Sequence, residues 1–140
     1  MTAANDWEIA WAGVTIDCTN PEGTAQFWAE LLGHHSRRAG ADRPGWYRLG
    51  PFVDGGPVLN FQPVTEPNRT KVRLHLDLWV EDLDAAVRRT RALGGRVVGE
   101  SQIVAGRGTI TVMADPEGHE FCLIAAPRFA PAARVMGRRS

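Results

Sequence analysis

From Trp11 to Cys18 apolar and polar residues alternate, the period of a strand with one buried face. Asn20 then offers a helix cap, with Pro21 at the first helical position. The residues that follow put Ala25, Trp28, Leu31 and Leu32 on one helical face before Gly33 stops the helix. Short strands are predicted near 35–38, 46–49 and 58–62, separated by Arg43-Pro44-Gly45 and Asp54-Gly55-Gly56-Pro57. The pattern then restarts. Leu74 to Val80 alternates, Asp82 caps, Val87 and Leu93 face inward, and Gly94-Gly95 ends the helix. Strands are predicted near 96–100, 109–114 and 120–125, the last two joined by the turn Asp115-Pro116-Glu117-Gly118.

The restart is an internal repeat. A shift of 62 positions carries Val14, Ile16 and Cys18 onto Leu76, Leu78 and Val80, and Asn20 onto Asp82. The same shift carries Gly33 onto Gly95, Gly56 onto Gly118, Leu59 onto Phe121 and Phe61 onto Leu123, with no gap. The predicted fold class is therefore α+β, two tandem βαβββ modules. Residues 1–9 form an N-terminal arm, 10–66 module one, 71–126 module two and 127–140 a basic tail. Asn68 to Thr70 mark the joint.

Composition narrows the function classes. At 140 residues the chain is one ordinary domain with a real core. A formal net charge of zero argues against nucleic acid or an anionic membrane as partner. No apolar run approaches the roughly 20 residues that span a bilayer, and the first residues lack the basic start of a secretory signal. Cys18 and Cys122 fit a reducing, cytoplasmic setting, and strand parity puts them on opposite sheet faces, away from a mutual disulfide. The Arg-rich tail, with Arg128, Arg134, Arg138 and Arg139, reads as solvated.

The second copy reads His75-Leu-Asp-Leu-Trp-Val-Glu-Asp-Leu-Asp-Ala-Ala, with Ala92-Leu-Gly-Gly closing its helix and Asp115-Pro-Glu-Gly-His-Glu-Phe-Cys-Leu near its end. This tandem resembles the vicinal oxygen chelate superfamily, in its glyoxalase-like branch with glyoxalase I, bleomycin-resistance proteins and extradiol dioxygenases. The resemblance covers roughly residues 10–126. It implies curved mixed sheets around a cavity with the helices outside, a homodimer, and a divalent metal held by the first and last strand of each copy. Those four positions are Gly13, Asn60, His75 and Cys122 here. Gly13 has no side chain, Asn60 is a weak ligand and Cys122 replaces a carboxylate, so the implied site reads as dismantled. No resident metal is expected; His75 is the remaining candidate ligand, and a divalent ion is the alternative.

Strand parity divides the side chains independently of the family. Val14, Ile16, Cys18, Leu59, Phe61, Leu74, Leu76, Leu78, Val80, Phe121 and Leu123 share one face, expected under the helices. Thr15, Asp17, Asn60, Gln62, His75, Asp77, Trp79, Glu120, Cys122 and Ile124 share the other. Its mixture of polar and apolar groups suits a partly polar cavity rather than a face open to bulk water. Ligand-binding candidates are Thr15, Asp17, Trp46, Arg48, Asn60, Gln62, Trp79 and Cys122, with indole walls suited to a planar ligand and Arg48 to an anionic group. His75 reads as a structural hydrogen-bonder, as a ligand-binding or acid–base group, or as a metal ligand. Asp77 and Glu120 would orient it in catalysis, and otherwise are solvated charges. A metal shared by His75, Asp77 and Glu120 would have to bridge a backbone spacing of about 7 Å. The adjacent His34 and His35 point to opposite faces and do not share an ion.

The expected function is small-molecule binding, with sequestration of a planar metabolite or drug on a degenerate metal site. The alternative is an enzyme of lyase, isomerase or dioxygenase type, using a rearranged divalent-metal site or His75 as acid–base. A structural or regulatory partner domain is a third reading.

Overall fold

The computed structural model describes residues 11–70, 74–106 and 108–125. The N-terminal arm with Trp7, the basic tail and Lys71 lie outside the described residues. Module one runs β1 (Gly13–Cys18), α1 (Pro21–Leu32), β2 (Arg37–Arg38), β3 (Tyr47–Leu49) and β4 (Val58–Pro63). Module two runs β5 (Leu76–Trp79), α2 (Leu83–Ala92), β6 (Arg96–Val97), β7 (Gln102–Val104), β8 (Gly108–Ala114) and β9 (Glu120–Ala125). Strand order is β1-β4-β3-β2 in one sheet and β5-β9-β8-β6 in the other, with β7 added on β8. β1–β4 and β5–β9 are parallel and the remaining pairs antiparallel. Among the described residues no strand of one sheet pairs with a strand of the other, so the barrel is open.

The repeat holds in the parallel pairs. Val14 stands opposite Leu59, and the shift of 62 predicts Leu76 opposite Phe121, as found. The gapless alignment fails in the hairpin. Tyr47 pairs with Phe61, but Leu123, the counterpart of Phe61, pairs with Thr111 rather than Thr109. Module two is longer before β8 and correspondingly shorter in the β8–β9 turn, and the two changes cancel. β7 is an element the pattern did not predict. It folds back on the start of β8 with Ile103 87% exposed, so no buried face marks it.

Capping starts and stops α1. The Asn20 side chain accepts from Gly23 N at 3.2 Å, and Gly33 takes the left-handed conformation (φ 71°, ψ 35°) that glycine adopts without strain. The helix buries Ala25, Phe27, Trp28, Ala29 and Leu32. α2 is capped by Asp82, which accepts from Ala85 N at 3.0 Å, but among its residues only Thr90 is fully buried. Aromatic packing joins the modules: the Trp28 ring lies 4.6 Å from Phe121 of β9, and Phe27 lies 6.3 Å from it. Leu74 corrects the parity reading. It precedes β5 and is 88% exposed rather than packed beneath a helix.

The turn between β8 and β9 clasps the two modules. Asp115 is fully buried, and its carboxylate accepts from Trp28 Nε1 at 2.9 Å, from the Glu117 and His119 amides at 2.9 and 3.0 Å, and from His119 Nδ1 at 2.8 Å. His119 Nε2 lies 2.8 Å from the Asp17 carbonyl. Both partners of this ring accept only, so it serves both as the imidazolium. Burial alone would lower its pKa, but the hydrogen bond and charge of Asp115, the Asp17 carbonyl and the charge of Glu117 outweigh it and raise it. Glu117 reaches the start of α1. It accepts from Thr19 N at 2.6 Å, Thr19 Oγ1 at 2.8 Å and Asn20 N at 3.0 Å, and from Thr24 Oγ1. Burial would raise its pKa, and those hydrogen bonds at a positive helix end lower it instead.

Two pH dependences follow, with opposite signs. The raised His119 stabilises fully below its ordinary value of 6.5, and that contribution is lost as pH rises through its folded value. The lowered Glu117 stabilises above its ordinary value of 4.5 and loses that contribution as pH falls. His119→Gln is expected to cost about 1–3 kcal/mol near pH 6 and to flatten the alkaline fall of Tm. Glu117→Gln is expected to cost a similar amount, about 1–3 kcal/mol, near pH 6 and to flatten the acid limb. Thermal melts from pH 4 to 9 check both; parallel profiles for wild type and variant would refute the assignment.

Candidate functional site

β5 lies at an edge of its sheet, with β9 its partner among the described residues. The parallel register sets Asp77 opposite Cys122 and Trp79 opposite Ile124. His75, two residues before Asp77, shares its side of the extended chain. The three side chains lean together. His75 Nδ1 is 3.2 Å from Asp77 Oδ1 and 3.9 Å from Cys122 Sγ, and the three donor atoms all lie within 4.8 Å of one another. Side-chain reach thus closes the backbone spacing that made a shared ion at His75 and Asp77 look strained. Glu120 points to the same side of β9 as Cys122 but lies outside this group.

The face is half open. The His75 and Asp77 side chains are 42% and 44% exposed, while Cys122 and Ile124 on β9 are buried. Trp79 is exposed on β5, which ends the strand order of its sheet among the described residues. A cleft of about 430 Å³ lies elsewhere, between α2 and the β6–β8 side, lined by Leu83, Val87, Arg88, Arg91, Val97 and Thr111.

The candidates of module one have other partners. Thr15 and Asp17 are exposed on β1, and Asn60 and Gln62 are half-buried on β4. Arg48 stands opposite Asn60, and its Nε donates to Asn60 Oδ1 at 3.1 Å. Trp46 lies just before β3 with the Arg43 guanidinium 4.9 Å from its ring centre. Arg48 and Trp46, both ligand-binding candidates, are thus each engaged within module one. His34 packs edge-on to Phe52 at 5.0 Å, where burial and His35 lower its pKa, and His35 is exposed. Cys18 is buried, and burial, with the charges of Glu117 and Asp115, pushes its thiol up to about 12, so it is inert. Neither cysteine is in a disulfide.

The four positions implied for a family metal do not fit one ion. A Cβ at Gly13 would fall 2.5 Å from the Val58 carbonyl oxygen, so the approach of β1 to β4 leaves no room for a ligating side chain there. The Asn60 oxygen is engaged by Arg48. His75 and Cys122 remain, and the third donor beside them is Asp77. Asp115, Glu117 and His119 carried no assigned role in the sequence, although the run Asp115-Pro-Glu-Gly-His had marked the turn; their partners in module one lie 87 to 102 residues away along the chain.

A model of the glyoxalase-like domain matches residues 13–124. No curated protein matches the sequence. Among solved structures, a glyoxalase/bleomycin resistance protein/dioxygenase family enzyme from Burkholderia phytofirmans superposes with a TM-score of 0.67 at 15% identity, covering 84% of this chain and 98% of that one. A glyoxalase-related enzyme from Fulvimarina pelagi gives 0.66 at 19% identity, over 93% and 97% of the two chains. The fosfomycin resistance protein FosX from Listeria monocytogenes, complexed with Mn(II) and a dihydroxypropylphosphonic acid, gives 0.65 at 16% identity, over 82% and 88%. With the family model spanning most of its length, the chain belongs to the glyoxalase-like domain family of the vicinal oxygen chelate superfamily.

Proposed function

We propose that this chain binds a small organic molecule on the face of β5 and β9 opposite the helices, without the four-position metal of its superfamily. The observation that carries the reading is the pairing of an exposed indole, Trp79, with an imidazole and a carboxylate on one strand edge, beside a module whose Gly13 and Asn60 offer no open ligand. An indole face supplies stacking area, and His75 and Asp77 supply directional polar contacts, the mixture typical of small-molecule sites. Thr15, Asp17, Asn60 and Gln62 belong to the same proposal as the wall contributed by module one. FosX, a structural neighbour, holds a small phosphonic acid, so the fold accommodates such ligands. A homodimer in a reducing cytoplasm fits the reading: a second chain would cover the β1 or β5 edge, and neither cysteine is in a disulfide.

A second reading is favoured by the closeness of His75, Asp77 and Cys122. In it the chain is an enzyme in which this cluster, rather than the four inherited positions, carries the chemistry.

Fluorescence titration of the purified protein with planar metabolites and drugs tests the first reading. Saturable quenching by at least one compound, without turnover, is expected. Trp79→Leu should weaken that binding about three- to tenfold, the size of a lost stacking contact. Quenching that is unchanged in Trp79→Leu and His75→Ala, or no saturable response across the panel, would count against it. Conversion of the compound by the wild type but not by His75→Ala would select the second reading.

A further inference from the structure

The cluster on β5 and β9 has a geometry that discriminates between two kinds of chemistry. A cysteine–histidine–acid relay uses the two ring nitrogens separately, one toward the thiol and one toward the carboxylate. Here one nitrogen faces both. His75 Nδ1 is 3.2 Å from Asp77 Oδ1 and 3.9 Å from Cys122 Sγ. The three donor atoms lie within 4.8 Å of one another, an arrangement that suits a cation placed between them and does not suit a proton passed along a line.

The spacing fits a small ion. Tetrahedral zinc, with bonds of about 2.0–2.3 Å, holds its ligands about 3.3–3.8 Å apart. The two distances from Nδ1 are already near that range, and the remaining separation, within 4.8 Å, closes by small side-chain rotations. Imidazole, thiolate and carboxylate together form a borderline-soft set. Magnesium and calcium take oxygen ligands and would leave the sulfur unused.

We propose that His75 Nδ1, Asp77 and Cys122 Sγ form a three-donor site for a thiophilic divalent cation, zinc in the first instance, with its fourth position open to solvent. The site differs from the four-position set of the superfamily. All three ligands belong to module two, Gly13 and Asn60 take no part, and Asp77 enters from a position outside that set. Three protein ligands and one open position mark sites that bind or activate an exogenous molecule, whereas purely structural zinc sites are closed by four. The open side is that of His75 and Asp77, 42% and 44% exposed, and the sulfur anchors the ion from the buried side. The inference rests on reading this strand face as the site and gives the second functional reading a defined centre. Cys18 does not compete: it is fully buried among the core side chains and its sulfur lies near the Ile16 carbonyl at 3.4 Å.

Cobalt(II) reports thiolate ligation directly. Titration of chelator-stripped protein with Co²⁺ is expected to raise a sulfur-to-cobalt charge-transfer absorption in the near ultraviolet, saturating at one ion per chain and bleached by Zn²⁺. Cys122→Ser should abolish the band. Asp77→Asn and His75→Ala should weaken cobalt binding at least tenfold; because both side chains are exposed, these variants keep the test valid if Cys122→Ser fails to fold by circular dichroism. Absence of the band, or a band that survives in Cys122→Ser, or binding unchanged in Asp77→Asn and His75→Ala, would overturn the site. Tryptophan quenching by organic compounds, measured on the metal-free protein, fails or succeeds independently. No cobalt band with quenching retained sinks the metal site alone, and a cobalt band without quenching supports the site while sinking the metal-free binding reading.

Discussion

The structure hangs on one buried carboxylate. Asp115 has no exposed surface, and an ion in that position costs several kcal/mol unless its lone pairs are filled. They are filled by an indole, two amides and an imidazolium, and the indole comes from the other module. That geometry fixes the turn from which β9 departs. Glu117, two residues along, ties the same turn to the N-terminal end of α1, where the helix dipole and unpaired amides favour a negative charge. The two halves are therefore docked by directional polar contacts around an aromatic contact, Trp28 on Phe121, and not by apolar area alone.

Docking distributes burial unequally between the modules. α1 is covered along a whole face because β9 supplies Phe121 to it in addition to the strands of its own module. Among the described residues α2 rests mainly on β6, β8 and β9 of its own module, and Thr90 is its one fully buried residue. Regions with fewer buried contacts open at lower free-energy cost. The candidate site does not lie on that helix: it joins exposed side chains of β5 to buried ones of β9.

Much of this was legible in the alternation of residues. A period of two places side chains on faces without reference to what packs there, so Val14, Leu59, Leu76 and Phe121 were assigned to one face from apolar positions alone; their parallel pairing comes from the structure. The shifted hairpin register at Thr111 was not legible, because two compensating length changes leave the total spacing intact. β7 was invisible because Ile103 turns its apolar side chain to solvent. At the site, parity put His75, Asp77, Cys122 and Glu120 on one side, but parity carries no distances. It could not say that Cys122 would join the histidine and Glu120 would not, since that depends on which residue of β9 stands opposite Asp77. The clasp escaped because its bonds to module one join residues far apart in the chain, and a turn sequence reveals the turn without its remote partners.

The alternation along β9 explains why chemistry can collect where it does. Phe121 and Leu123 face the helices and are buried, as expected, but Cys122 and Ile124 on the opposite side are buried too. A strand buried on both sides beside an exposed edge strand creates a step in polarity between neighbouring residues. Across the single pairing of Asp77 with Cys122, the surroundings change from wet carboxylate to dry sulfur within one interstrand spacing, about 4.8 Å. A group seated on that step is desolvated on one side only. It keeps exchange with solvent through His75 and Asp77 while contacting a surface of low dielectric, where electrostatic attraction is stronger than in water. This gradient is a property of the β5–β9 register, which sets Asp77 opposite Cys122 and Trp79 opposite Ile124.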